Sequence, residues 1–300
     1  MRNAFIEELV RLATEHTNIA LVVGDLGYSV VEPFADRFPD RFINAGVAEQ
    51  NMTGLAAGMA SEGYHVFTYS IANFPTFRCA EQIRNDVDYH QLPVTVVTVG
   101  GGLAYGNLGY SHHAVQDYAL MRCFPNMLIA APGDPMEVRA CMRYLVAKPQ
   151  PSYLRLGKAG EQCFHDSVPH VAPGKWLTVL KPDANDPGEK ALLSTGAALG
   201  IAIGMREADT YKGCAVHSLP LWGMRWKSTQ SANLNALKEL TTLEDHLLDG
   251  GFGSWMMEAL ADKTAGTRVL ARALSPEICG LVATQATLNE LGGLTRTDST

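Results

Sequence analysis

The sequence predicts an α/β protein in two parts, a parallel sheet covered by helices and then a smaller α/β domain. Three observations carry this. Short apolar, strand-like runs alternate with longer helical segments through the first half, as a parallel sheet with crossover helices requires. After Leu156-Gly157-Lys158, a stretch with Pro169, Pro173, Pro182 and Pro187 breaks the pattern and reads as an interdomain connection ending near Lys190. A second, shorter alternation follows. With 300 residues and 47% hydrophobic content the chain can bury substantial cores, and its length suits two domains, expected at 1–160 and 190–300 with 161–189 between them.

In chain order, strands are expected near Ile19–Val23, Phe42–Asn44, Val66–Thr68, Val94–Val99, Met127–Ala131 and Ser152–Leu154, with helices near 3–17, 49–62, 76–89, 115–122 and 135–147. The second alternation predicts strands near Ala191–Ser194, Cys214–Leu219, Thr241–Leu243 and Arg268–Leu274, with helices near 197–210, 231–238, 251–262 and 280–290. The polar tail Thr295–Thr300 has the composition of a disordered end.

A net charge of −7 without a basic stripe argues against a nucleic-acid partner. The start, Met1-Arg2-Asn3-Ala4-Phe5-Ile6-Glu7-Glu8-Leu9, carries acids where a secretory peptide has an apolar core, and no apolar run approaches the length of a bilayer span. Cytoplasmic residence with no membrane partner is therefore expected. The cysteines at 79, 123, 141, 163, 214 and 279 show no Cys-x-x-Cys spacing, and their mostly apolar context suits reduced core thiols better than a metal site or a disulfide frame.

The stretch Ala45-Gly46-Val47-Ala48-Glu49-Gln50-Asn51-Met52 runs from a strand end into a helix of small residues with one acid at the turn. Gly54, Ala56, Ala57, Gly58 and Ala60 leave one helix face nearly bare, which lets it approach another backbone and encloses Glu49. Burial in apolar surroundings raises a carboxyl pKa and suits an acid that shares or lends a proton. An acid placed at a helix N-terminus by the macrodipole has the same spacing.

Taken with three further blocks, this stretch resembles the pyrimidine-binding domain of transketolase-family enzymes. Val23-Gly24-Asp25-Leu26 resembles the family's first strand and Asp-Leu turn. Ser111-His112-His113-Ala114-Val115-Gln116-Asp117, followed by Met121-Arg122-Cys123-Phe124-Pro125-Asn126-Met127, resembles its Thr-His-Gln and Arg-x-x-Pro-Asn blocks. Asp245-His246 with Gly250-Gly251-Phe252-Gly253-Ser254 resembles a segment of its C-terminal domain. The four blocks keep the family's order over most of residues 1 to 262. The resemblance implies a parallel-sheet, thiamine-diphosphate-binding domain followed by the transketolase C-terminal domain.

It also implies roles. Glu49 matches the glutamate that shares a proton with the cofactor's aminopyrimidine and helps its C2 proton to leave. Asp25 is expected beside the cofactor. Phe74 falls closest to the aromatic that stacks on the pyrimidine, with Phe77 and Tyr69 as alternatives and a plain core role open for Phe74. The loop Gly100–Tyr110 follows a buried strand, where α/β folds place their sites. His112 matches a histidine near the cofactor amino group, suited to orienting donor hydroxyls or stabilising a developing alkoxide. His113 replaces the usual glutamine at an expected helix start, and capping or packing is its competing role.

Departures bear on the substrate. Leu108 stands where sugar-using members carry a donor-binding aspartate, and Gly100 where they carry a substrate-binding histidine, so the expected pocket is less polar and the standard sugar phosphates are in doubt. Ser29, Arg2 and Lys158 fall near family phosphate-binding positions, although Arg2 lies at an end that can fray and Lys158 suits a solvated linker.

The family's Gly-Asp-Gly…Asn motif, which binds Mg2+ and the cofactor diphosphate, has no match here, and Gly24-Asp25-Leu26-Gly27 is only a superficial likeness. The expectation is a C-terminal subunit with no metal ligands of its own, acting on small molecules with an N-terminal diphosphate-binding partner in an α2β2 assembly. Three functions fit: ketol transfer; a deoxyxylulose-phosphate-synthase-like or 2-oxoacid-decarboxylating activity; and a non-catalytic scaffold. Glu49 argues against the last, because a buried unpaired acid is costly to retain without a use.

Overall fold

A computed structural model of the chain describes residues 1–235, 237–261 and 266–295. Twelve strands are described: β1 (Ile19–Val23), β2 (Phe42–Asn44), β3 (His65–Ile71), β4 (Val94–Val99), β5 (Leu128–Ala130), β6 (Ser152–Leu156), β7 (Leu177–Leu180), β8 (Lys190–Ser194), β9 (Ala215–Ser218), β10 (Leu221–Trp222), β11 (Glu239–Leu247) and β12 (Arg268–Leu274). The α-helices are α1 (Arg2–Glu15), α2 (Glu32–Arg37), α3 (Glu49–Ser61), α4 (Asn73–Phe77), α5 (Ala80–Gln82), α6 (Asp117–Met121), α7 (Pro135–Ala147), α8 (Leu199–Met205), α9 (Gln230–Leu234), α10 (Phe252–Glu258) and α11 (Gln285–Leu291).

The first sheet has seven strands in the order β10-β5-β6-β4-β3-β1-β2, parallel except for β10. Every residue of β1 and β4 is buried, which explains their unbroken apolar runs: both sheet faces are covered. Alternate side chains serve opposite layers. Leu21 and Val23 join Phe5 and Leu9 of α1 and Val138 and Leu145 of α7, whereas Val22, Val66 and Val96 pack with Met52, Ala56 and Ala60 of α3. The second sheet runs β12-β11-β8-β9-β7, with β7 antiparallel to β9.

Several expectations change. β7 lies inside the stretch read as a connection, because its prolines flank the strand and leave Leu177–Leu180 free to pair. β10 comes from the second half of the chain yet extends the first sheet, pairing Leu221 with Ala130 and Trp222 with Ile129. The helix expected over 76–89 is interrupted where Cys79 leaves helical geometry (φ −108°, ψ 10°), and the chain continues through α5 into a wide π-type turn over Ile83–Asp88. The helix expected from 280 starts only at Gln285, where the Thr284 side chain accepts from the Thr287 N–H. Helices expected over 115–122, 197–210, 231–238 and 251–262 are shorter, at Asp117–Met121, Leu199–Met205, Gln230–Leu234 and Phe252–Glu258. Residues 236, 262–265 and 296–300 lie outside those described, including most of the tail expected to be disordered.

Candidate active site

β1, β2, β3 and β4 are mutually parallel, so Gly24, Ala45, Ala72 and Gly100 leave the sheet at one edge, the edge at which open α/β sheets bind ligands. Asp25 adopts a left-handed conformation (φ 54°) that Asn44 locks. The Asn44 amide donates to Asp25 Oδ1 at 3.0 Å, its Oδ1 accepts from the Asp25 and Gly46 N–H groups, and Tyr28 OH also donates to Asp25 Oδ1. The bonds from Asn44 and then Tyr28 hold the Asp25 carboxyl below the usual carboxylate range.

Glu49 opens α3 and is buried, 4% exposed. It has a charged partner: Arg78 Nη1 donates to Glu49 Oε1 at 2.8 Å. The small-residue helix face differs from expectation. Ala56, Ala57 and Ala60 face the core, while a Cβ at Gly54 or Gly58 would meet nothing within 4 Å. Spacing reads smallness but not which side of the helix the sheet covers.

Phe74, on α4, is half-buried and connects the parts. Arg78 Cζ lies 4.4 Å from its ring centroid, and the His112 ring makes a T-shaped contact with it, the centroids 5.4 Å apart. His112 closes a short turn over Tyr110–His112, with Nδ1 3.0 Å from Ser111 Oγ. Burial, and secondarily His113, lower its pKa from the ordinary histidine value. Of the aromatic alternatives, Phe77 is 47% exposed and lines a cavity of about 430 Å³ with Asn73, Tyr110, Ser111 and Gln116. Tyr69 is buried and stacks on Phe5 of α1, on the far layer from Met52.

The loop after β4 holds three of the residues expected at the substrate, Gly100, Leu108 and His113. Gly100 has φ +84°, and a Cβ there would collide with the Tyr105 ring, so that ring fills the space of the missing side chain. His113 is fully buried and starts no helix. Its Nε2 lies 3.1 Å from the Gly106 carbonyl, so it braces the loop, the packing role that competes with substrate contact. Leu108 is 51% exposed at the loop surface. Ser29, exposed at φ 62°, donates its N–H to Glu32 Oε1. Arg2 is not frayed: it opens α1, its N–H donates to the Lys158 carbonyl, and Lys158 Nζ lies 5.3 Å from the Tyr105 ring centroid.

The blocks at 117 and 244–254 build the joint between the sheets. Arg155 Nε donates to Asp117 Oδ2 at 2.7 Å, Nη1 to Asp245 Oδ1 at 2.5 Å, and Nη2 to the Ala114 carbonyl at 2.8 Å. Tyr153 OH donates to Asp117 Oδ2 at 2.6 Å. Gly102 packs directly on Asp245, where any Cβ would clash. Glu244 accepts from the Phe252 and Gly253 N–H groups at the start of α10, which explains the glycine-rich block as a buried helix cap; burial pushes the Glu244 carboxyl up to about 8. Sequence reasoning missed Arg78 and Arg155. An arginine inside the otherwise apolar run Ser152–Leu156 was the available signal for the second.

An aminopyrimidine needs a buried carboxylate as hydrogen-bond partner and a flat apolar face. Glu49 and Phe74 fit that need, for they already present both to a planar cation, the Arg78 guanidinium. Among the described residues no group of three or more His, Cys, Asp or Glu side chains is placed to hold a metal ion.

The model of the transketolase pyrimidine-binding domain matches residues 1–160. One of the subunits of the apulose-4-phosphate transketolase of Phocaeicola vulgatus is 30% identical over 275 residues, covering 90% of this chain and 86% of that protein. The chain belongs to the transketolase family. A solved structure described as a split gene transketolase, inactive beta4 tetramer, superimposes with a TM-score of 0.81 at 27% identity, covering 98% of this chain and 93% of that one. The 1-deoxy-D-xylulose-5-phosphate synthase of Pelotomaculum thermopropionicum is 31% identical over 265 residues, which span 86% of this chain but 40% of that enzyme. Family membership makes this chain part of a thiamine-diphosphate-dependent transferase system.

Proposed function

We propose that this chain is the C-terminal, pyrimidine-binding subunit of a split enzyme that moves a two-carbon ketol unit from a ketose-type donor to an aldehyde acceptor. The observation that carries it is the buried Glu49 carboxylate, linked through Arg78 to the Phe74 ring, with His112 edge-on to that ring at the carboxyl edge of the parallel sheet. When bound, thiamine diphosphate supplies the electron sink for carbon–carbon cleavage. Glu49 holds and returns a proton at its carboxylate, Phe74 provides the stacking face with Phe77 nearby, and Asp25 steadies the rim. His112 orients the donor hydroxyls. Ser29, Arg2 and Lys158 are the candidates for a phosphate group on the substrate. In this reading residues 1–160 form the pyrimidine-binding domain and 190–300 the C-terminal domain. A cytoplasmic partner subunit contributes Mg2+ and the diphosphate site, and an α2β2 assembly follows. The Phocaeicola vulgatus protein, itself one subunit of a transketolase and similar along most of its length, supports the split arrangement.

A deoxyxylulose-phosphate-synthase-like reaction is the second reading, supported by the similarity to that enzyme over 86% of this chain. The scaffold reading loses one objection, because Arg78 offsets the charge of Glu49, so burial alone no longer argues for catalysis. The test is therefore Glu49→Gln in the reconstituted complex. We expect intact assembly and melting, with exchange of the cofactor C2 proton slowed about 10²- to 10⁴-fold. Unchanged exchange with a lowered melting temperature would assign Glu49 to structure and sink the catalytic reading.

A further inference from the structure

Glu49 and Phe74 are held by a single side chain. The Arg78 guanidinium donates to Glu49 Oε1 at 2.8 Å and lies 4.4 Å from the Phe74 ring centroid. A guanidinium is flat, cationic, rich in N–H donors and prone to stack, the properties of a protonated aminopyrimidine. Two such groups cannot share one carboxylate and one ring face. Arg78 is also free to leave. Its side chain is 51% exposed on the turn between α4 and α5, while its backbone is fixed to α3 by Gln50 Nε2, which donates to the Arg78 carbonyl at 2.9 Å. Movement of the side chain therefore leaves both helices in place.

We propose that Arg78 is a placeholder: in the cofactor-free chain its guanidinium occupies the seat that the aminopyrimidine takes, and it swings into solvent as the ring enters. This rests on the reading of Glu49 and Phe74 as the pyrimidine seat. The placeholder keeps a buried carboxylate paired while the seat is empty. It also makes cofactor entry a competition, so apparent affinity is weaker than the seat alone would give. Since an ion pair with one exposed partner is screened by salt, the competition weakens as ionic strength rises.

The test uses the full chain and 4-amino-2,5-dimethylpyrimidine, the cofactor's ring without its diphosphate. Calorimetric titration should show Arg78→Gln binding the pyrimidine about 3- to 30-fold more tightly than wild type, the change that an ion pair with one exposed partner and a half-exposed cation–π contact together represent. Arg78→Lys, which keeps the charge but loses the flat face, should lie between them. In ¹⁵N spectra of the free chain, the Arg78 Nη1 protons bonded to Glu49 should exchange more slowly than the other guanidinium protons, and Glu49→Gln should abolish that protection. Equal or weaker binding by Arg78→Gln, or an unprotected Arg78 in wild type, overturns the placeholder. If Glu49→Gln and Phe74→Ala bind the pyrimidine as wild type does, the seat itself is misassigned, and the functional reading above fails with it.

Discussion

His65 shows how a single buried side chain sets a pH limit on this fold. At the start of β3 its ring stacks on Phe67 with centroids 4.6 Å apart, and Nε2 lies 2.9 Å from Thr95 Oγ1, a neutral partner that does not stabilise a charge. Burial lowers its pKa to about 4. The unfolded imidazole, near 6.5, takes a proton that the folded one refuses, so its contribution to stability is full above that value and is lost as pH falls toward 4. Between pH 7.5 and 5 this amounts to about 2 kcal/mol. Urea unfolding at the two pH values should show that loss reduced by about this amount in His65→Gln. The remaining acid sensitivity belongs in part to His246, also lowered to about 4 by burial. Identical pH dependence in variant and wild type would show that His65 titrates normally.

At the level of elements, the Asp117–Arg155–Asp245 cluster ties three segments together. Arg155 sits on β6, Asp117 opens α6, and Asp245 lies on β11 of the other sheet, all buried. Replacing the arginine with methionine strands two acids in the interior, and breaking a buried ion pair typically costs about 3–5 kcal/mol. Arg155→Met should therefore lower the unfolding midpoint sharply, whereas Arg122→Met, which removes a partly exposed partner of Glu258, should shift it little. Comparable losses in the two variants would remove the cluster's special standing. Since Arg155 also holds the Ala114 carbonyl, the loop that carries His112 is fastened by the same guanidinium. Such a joint was not legible in advance. Asp245 was legible only as part of a family block and Arg155 was not singled out at all, because their meeting depends on how two sheets pack.

For the whole molecule, the carboxyl edge of the first sheet, where the candidate site lies, leaves Tyr28, Val47, Phe77, Leu108 and Tyr110 exposed. We expect the purified chain to bind thiamine diphosphate weakly and to turn over only with a diphosphate-binding partner and Mg2+. Calorimetry and a coupled assay, with and without that partner, measure this, and turnover by the chain alone contradicts it. Tyr105 packs where a side chain at position 100 would lie and Leu108 is apolar and exposed, so, on the proposed donor site, xylulose 5-phosphate and fructose 6-phosphate should be poor donors. Efficient turnover of either would refute the loss of donor contacts.

Local pattern is enough to locate most strands and the class of the fold, because an apolar run between turn residues has few other stable forms and a strand's alternation survives any choice of neighbour. β1, β2, β4 and β12 appear with the residues expected for them. Glu49, Phe74 and His112, whose roles are proposals, were singled out through motif order, which follows chain sequence, and the fold brings them together around Arg78. Pairing, facing and occupancy were not legible. β10 crosses to the first sheet, His113 turns inward onto Gly106, α3 shows its glycines to solvent, and Arg78, 29 residues beyond Glu49, folds back to take its carboxylate. Each depends on which distant surface arrives to cover a residue. That is decided by packing and by the need to pair buried charge, both of which act through space rather than along the chain.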